Sequence, residues 1–329
     1  MKNITVLATG GTIAGVSHFP TDTVSYQPAV VSIEEILNEI GSIQSIATIT
    51  SEQITQVDSA DMSHDIWLQL ANRINTLLNQ PTVDGVVVTH GTDTLEETAY
   101  FLNLVIKSEK PVVLVGAMRP ATAISPDGPM NLYNAILLAT SSSAKGKGVL
   151  VALNDTINSS RDVTKTNTAL QDTFKAPELG YLGYIVDSHP HFYRMPTRKH
   201  TYMAEFDITG ITKLPQVDII YGHVNDSGTL AHAAVAAGAR GLVYAGLGNG
   251  NMSQQMKNVL SDIQRKGIVV VRGTRVGNGV VTRNGALDDD QNNFVVADTL
   301  SPQKARILLM LSLMKTSNPA EIQNMFWTY

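Results

Sequence analysis

Short apolar runs recur along the chain, and each stops at a glycine or a polar turn. Residues 5–8, 86–88, 111–115, 148–153, 217–221, 241–245 and 267–271 are rich in Val, Ile and Leu, as strands buried on both faces of a parallel sheet are. Between them the spacing of apolar positions becomes helical. Ile33, Ile36, Leu37 and Ile40 share one face behind a capping box at Ser32 and Glu35, and Ile66, Leu70, Ile74, Leu77 and Leu78 share another. Residues 127–140, with Pro129 near the first turn, and then 228–237, 253–266 and 301–314 read as further helices. Strand, loop and helix alternate, which predicts an α/β fold with a mainly parallel sheet flanked by helices. The expected layout is a larger N-terminal α/β domain at 1–190, a connection at 191–215 and a smaller C-terminal α/β domain of Rossmann-like type at 216–329. The connection is polar and basic, with His191, Arg194, Arg198, Lys199 and His200.

Two of the strands end alike. Residues 5–8 run into Thr9-Gly10-Gly11-Thr12, and Val86, Val87 and Val88 run into Thr89-His90-Gly91-Thr92-Asp93. A glycine followed by a hydroxyl at a parallel strand's carboxyl end lies where α/β sheets bind ligands, and it offers unobstructed backbone N–H groups. Each feature also has a plain structural reading. Thr12 is either a turn residue or part of a ligand site, and Asp93 with Glu96 is either a D-x-x-E capping box or a site carboxylate and its neighbour. The polar segment 16–28 follows neither period, begins beside Gly15 and reads as a loop able to close over Thr12. Its Tyr26 is either an anchor or a participant. Lys165 alone reads as a solvated surface charge.

Composition narrows the classes. With 329 residues, 43% hydrophobic and 16% charged, the chain is an ordinary globular one with room for two domains. A net charge of −5 without a Lys/Arg block argues against nucleic acid or an anionic membrane and leaves small neutral or zwitterionic ligands. The absence of cysteine excludes disulfides, thiol catalysis and cysteine metal ligands, and it fits reducing and oxidising compartments alike. The longest apolar run, 307–314, falls short of the ~18 residues of a membrane span. Met1-Lys2 abuts the first strand, so a soluble chain without a signal peptide in this sequence is expected. Gly246-Leu247-Gly248-Asn249-Gly250-Asn251 follows a strand and invites a dinucleotide reading. Against it, Asn251 holds the third fingerprint position, and Arg272 rather than an acidic residue closes the next strand. No cofactor and no metal site is expected.

Ala8-Thr9-Gly10-Gly11-Thr12-Ile13-Ala14-Gly15 and Thr89-His90-Gly91-Thr92-Asp93-Thr94 resemble the two signature motifs of the bacterial type II L-asparaginases and glutaminase-asparaginases. Further segments fit in order: 115–120, 127–135, 161–168, 245–251 and 302–306, so that the resemblance spans residues 2–329. It implies an amidohydrolase that cleaves the side-chain amide of L-asparagine to L-aspartate and ammonia through a threonine acyl-enzyme, with L-glutaminase side activity open. By this resemblance Thr12 attacks, Tyr26 from the closing loop is its proton partner, and Thr92, Lys165 and Asp93 form a second cluster. Gly11 and Gly91 present the N–H groups of Thr12 and Thr92 as oxyanion donors. Ser59 takes the substrate α-carboxylate, Asp93 the α-ammonium, the Ala117 carbonyl the leaving amide, and Asn251 arrives from a neighbouring subunit. The implied assembly is a homotetramer built from two intimate dimers, and the implied compartment is the periplasm, with the cytoplasm left open by the missing signal peptide.

Two positions depart from the family pattern. Ala60 stands where most members place Gln or Glu, and Ala286 where they place Glu, so both usual acceptors for the ammonium are gone. At ~1.5–3 kcal/mol per hydrogen bond to a charged group, recognition weakens by roughly two to four orders of magnitude unless Asp61 or Asp288 substitutes. The expectation is a raised KM for free L-asparagine, or a preference for a related amide such as glutamine or D-asparagine. Three other readings are weighed beside it. One is the transamidosome subunit that shares this fold, works on glutamine and normally carries an extra N-terminal domain, for which Met1 leaves no room. The others are an NAD-dependent dehydrogenase on the glycine loop and a non-catalytic amino-acid-binding protein.

Overall fold

The computed structural model describes all residues, 1–329, and the chain divides into two units, Met1–Gly210 and Ile211–Tyr329. In chain order the first unit contains β1 (Lys2–Gly10), α1 (Ile33–Glu39), β2 (Ala47–Val57), α2 (His64–Leu78), β3 (Gly85–Thr89), α3 (Leu95–Val105), β4 (Val112–Val115), α4 (Gly128–Thr140), β5 (Val149–Leu153), β6 (Thr156–Ser159), β7 (Thr164–Lys165), β8 (Phe174–Lys175), β9 (Gly183–Val186) and β10 (His189–Phe192). Eight strands form one sheet in the order β10-β9-β6-β5-β4-β3-β1-β2. The run from β2 to β5 is parallel, and β6, β9 and β10 add antiparallel neighbours, so the sheet is mainly parallel as the sequence predicts.

Side-chain alternation along these strands sorts the helices. Ile4, Val6, Ala8, Val87, Val113, Val115, Leu150 and Ala152 point to one face, where Ile33 and Ile36 of α1 and Leu132, Ala135 and Ile136 of α4 cover them. The opposite face meets α2 and α3. Both faces are therefore closed, and β1, β3, β4 and β5 read as continuous apolar runs for that reason. The Ser32–Glu35 capping box at α1 is formed as expected.

Several elements were not foreseen. β2, eleven residues long, lies at the sheet edge with Ala47 its only buried residue, so it carries no apolar signature. The polar stretch after residue 153 holds four more strands and then β10, whose composition is masked by the half-exposed pattern of antiparallel edges.

The second unit contains β11 (Val217–Tyr221), α5 (Thr229–Ala236), β12 (Gly241–Gly246), α6 (Gln254–Arg265), β13 (Val269–Thr274), α7 (Asp289–Asn292), β14 (Val295–Val296), α8 (Pro302–Leu313) and α9 (Pro319–Thr328). Its four strands are all parallel, in the order β11-β12-β13-β14. Leu242, Tyr244 and Val270 pack with Ala231 of α5 and Met256, Leu260 and Ile263 of α6, while α8 covers the other face. This is the Rossmann-like layering expected. No helix of either unit is long and apolar enough to cross a membrane.

Candidate active site

Adjacent positions of β1 and β3 bring the two glycine-threonine turns together. Ala8 pairs with Thr89 in the parallel register, so both chains leave the sheet at the same level. Gly10 and Gly11 then adopt φ of +103° and +81°, which a side chain disfavours. A Cβ on Gly11 would lie 2.2 Å from the Gly91 Cα, so the two loops touch backbone to backbone. Thr12 enters a 3-10 turn, Thr12–Ala14, and is buried, as is Thr92.

Each hydroxyl meets a proton-carrying group. The loop from Val16 to Gln27 is closed by an antiparallel bridge between those two residues and returns Tyr26 to the site, where its hydroxyl lies 2.7 Å from Thr12 Oγ1. Burial pushes the Tyr26 phenol above its usual value of 10, Thr12 opposes this through the hydrogen bond, and the charges of Asp58 and Asp93 add to the rise. The phenol therefore stays protonated at neutral pH.

At the second turn Lys165 Nζ donates to Thr92 Oγ1 at 2.9 Å and to Asp93 Oδ1 at 2.7 Å. Lys165 belongs to the β7–β8 ribbon, and its side chain is only 18% exposed. The surface-charge reading of Lys165 is thus overturned. So is the capping-box reading of Asp93 and Glu96, because Thr94 is the N-cap of α3 and makes no side-chain cap. Asp93 turns to Lys165, and Glu96 Oε2 instead accepts from the Lys165 backbone N–H at 2.6 Å and from Thr164 Oγ1 at 2.8 Å.

The other predicted residues of the first unit fall around this centre. Ser59 is buried; its Oγ accepts from the Asp93 N–H and its carbonyl from Thr94 Oγ1, so it locks onto the second turn. Ala117 follows Gly116, where an added Cβ would meet Thr92 Cγ2 at 3.2 Å. Asn251 belongs to the second unit; there its backbone forms a bridge with Leu247, and it is exposed. Ala60 and Ala286 are both exposed, the carboxylate of Asp58 accepts from the Ala60 N–H, and that of Asp288 caps α7.

Sequence reasoning missed three supporting groups. Glu96 clamps the Lys165 backbone. Asp127 accepts from the N–H groups of Met118 and Arg119 and from Asn131, fixing the loop that carries Ala117. His90 is wholly buried behind the second turn.

The glycine loop of the second unit is tied down from within by Arg272. All five guanidinium donors of Arg272 are engaged: Nη1 reaches the carbonyls of Asn249 and Gly250, Nη2 the carbonyl of Thr282, and Nε and Nη2 the carboxylate of Asp289. The arginine that weighs against the dinucleotide fingerprint fills the space beneath the loop.

Two family models match the chain: "Asparaginase, N-terminal" over residues 3–198 and "Glutaminase/Asparaginase C-terminal domain" over residues 216–326. The chain belongs to the asparaginase family. It is 52% identical to L-asparaginase 2 of Bacillus subtilis, covering 100% of this chain and 87% of that protein. Against the glutaminase-asparaginase of Pseudomonas fluorescens it is 45% identical over 100% of this chain and 91% of the relative. Among solved structures, a crystal structure of a probable cytoplasmic L-asparaginase from Campylobacter jejuni matches with a TM-score of 0.97 and 48% identity, over 100% of both chains. Membership of the asparaginase family thus extends through both units.

Proposed function

We propose that this chain is an asparagine amidohydrolase that releases ammonia from L-asparagine, with L-glutamine as a second substrate. One observation carries the reading: two threonine hydroxyls stand at neighbouring strand ends, one bonded to a phenol and the other to an ammonium held by a carboxylate. Names of the full-length relatives support it.

In the proposed reaction Thr12 Oγ attacks the side-chain amide carbon, and its proton passes by way of Tyr26 to the departing nitrogen. The C–N bond breaks, ammonia leaves, and water then cleaves the threonyl ester to return Thr12. Positioned backbone N–H groups stabilise the oxyanion in both steps, and those of Thr12 and Thr92 form no hydrogen bond inside the chain. Thr92, Lys165 and Asp93 are assigned to proton handling at the same carbon. Ser59 is assigned to the substrate carboxylate, Asp93 to its ammonium, the Ala117 carbonyl to the leaving amide, and Asn251 of a neighbouring subunit completes the site within a homotetramer. On this reading residues 1–190 form the catalytic domain, 191–215 the linker and 216–329 the completing domain.

Ammonia release from L-asparagine, L-glutamine and D-asparagine tests the proposal. Release from L-asparagine should vanish in Thr12→Ala and Lys165→Met, and release that persists in Thr12→Ala would overturn it. With alanine at 60 and 286, the KM for L-asparagine should lie above the micromolar range and fall in the Ala60→Gln/Ala286→Glu variant.

A further inference from the structure

Behind the second turn runs a chain of hydrogen bonds that no step of the proposed reaction uses. Trp67 Nε1 lies 2.8 Å from Thr98 Oγ1, Thr98 Oγ1 lies 2.8 Å from His90 Nε2, and His90 Nδ1 lies 2.7 Å from the Gly91 carbonyl oxygen. Thr98 and His90 are fully buried, and Trp67 is fixed between His64 and Phe101. Donor counting gives the chain one direction. An indole N–H can only donate, so Thr98 accepts from Trp67 and turns its own proton to His90 Nε2. A carbonyl can only accept, so His90 carries its single proton on Nδ1 and donates it to Gly91. The same burial holds the imidazole at about 4, and it stays neutral at physiological pH.

The final acceptor is the carbonyl of the peptide whose N–H belongs to Thr92. In a trans peptide C=O and N–H point in opposite directions, so drawing the Gly91 oxygen towards His90 directs the Thr92 N–H away from the interior. His90 also donates its own backbone N–H to the Val115 carbonyl at 2.8 Å, which ties the turn to β4.

We infer that His90, as its Nδ1–H tautomer set by Thr98 and Trp67, is a positioning residue that holds the Gly91–Thr92 peptide in the orientation that presents the Thr92 N–H to the oxyanion. This rests on the amidohydrolase reading above. His90 touches no reacting atom in it. Its contribution is to keep a peptide dipole from rotating when charge develops, a step at which loss of one oxyanion donor costs about 10²–10³ in rate.

Two substitutions separate this role from simple core packing. His90→Asn retains a donor at the Nδ1 position, whereas His90→Gln retains polarity only at the Nε2 position and leaves the Gly91 oxygen without its partner. Both shrink the side chain and should lower the melting temperature comparably. Asn should keep kcat within about threefold, and Gln should lose about 10- to 100-fold in kcat with KM changed less than about threefold. Equal kcat values in the two variants, or a loss confined to KM, would overturn the inference.

Should either variant fail to fold, long-range ¹⁵N correlation spectra of the wild-type histidines decide it. A buried imidazole with its proton on Nδ1 is expected, and a proton on Nε2 refutes the positioning. Wild-type activity that disappears in Thr12→Ala, combined with indistinguishable His90 variants, would sink this inference and leave the amidohydrolase reading standing. Activity that survives Thr12→Ala sinks the latter.

Discussion

The pair Arg272–Asp289 is the most deeply buried ion pair in the second unit, with side chains 2% and 0% exposed, and it gives the firmest energetic prediction. Replacing Arg272 by Leu strands the Asp289 carboxylate, whose other donor is the Asn284 N–H, and orphans the carbonyls of Asn249, Gly250 and Thr282. Removing one member of a buried pair costs about 3–5 kcal/mol, since the remaining charge is left without compensation in a site closed to water. For a domain of this size such a loss lowers the melting temperature by roughly 10 °C or more. Asp289→Leu should cost a similar amount, because Arg272 keeps three neutral acceptors and no counter-charge.

The double variant discriminates between mechanisms. Arg272→Leu/Asp289→Leu removes both charges, so it should be less destabilised than the sum of the singles by at least about 1 kcal/mol, with the orphaned loop carbonyls preventing full recovery. Thermal unfolding followed by circular dichroism, together with ammonia release measured well below the transition, reads both consequences. Loosening of the Leu247–Asn251 loop should raise KM if Asn251 contacts substrate from a neighbouring subunit. A drop of less than about 2 °C in Arg272→Leu, or strict additivity in the double variant, would refute the account of this pair as the support of the glycine loop.

Two further predictions follow from single residues. Burial holds His90 at about 4 against 6.5 in the unfolded chain, so as pH falls through that window the unfolded state takes up a proton that the folded state refuses, and stability declines with acid. Between about pH 7 and pH 4.5 the loss traceable to His90 should be roughly 2–3 kcal/mol in urea unfolding of the wild type and should be missing in His90→Asn; an unchanged acid profile in that variant contradicts the burial argument. Gly11→Ala places a methyl group 2.2 Å from the Gly91 Cα at a φ of +81°, which forces the two turns apart. A displacement of about 1 Å should reduce kcat on the order of 100-fold while the rest of the fold persists, and activity within about threefold of wild type would show that the turns need not touch.

Where the chain could be read in advance, burial on both faces was the reason. Val86, Val87, Val88 and Val112 through Val115 announce strands because each side of the sheet is covered by helices, and the glycine-threonine endings announce a site because they repeat at two such strands. β2 escaped because along this edge strand only Ala47 is buried, so Thr48, Thr50 and Glu52 carry no apolar period. Thr12 and Thr92 were legible as candidates from local pattern alone. Their partners were not, since Tyr26 reaches Thr12 only through the closure of a loop and Lys165 reaches Thr92 across 73 positions of sequence.

Glu96 shows why spacing could not decide between the two roles of Asp93. A D-x-x-E sequence satisfies a capping box and a site carboxylate with an acidic neighbour equally well, because both place the residues at the start of a helix. What separates them is whether another element competes for the carboxylates. The β7–β8 ribbon does so: Lys165 offers Asp93 its charged Nζ, which outweighs the backbone amide that a cap would satisfy, and Glu96 takes two donors at once, the Lys165 backbone N–H and the Thr164 hydroxyl. With both carboxylates drawn to one lysine, the first turn of α3 forgoes its side-chain cap, and the local penalty of about 1 kcal/mol is accepted where Thr92 stands. A helix start left uncapped beside two carboxylates able to cap it is therefore itself a sign of a site, because only a stronger demand elsewhere leaves those carboxylates unused at the helix end.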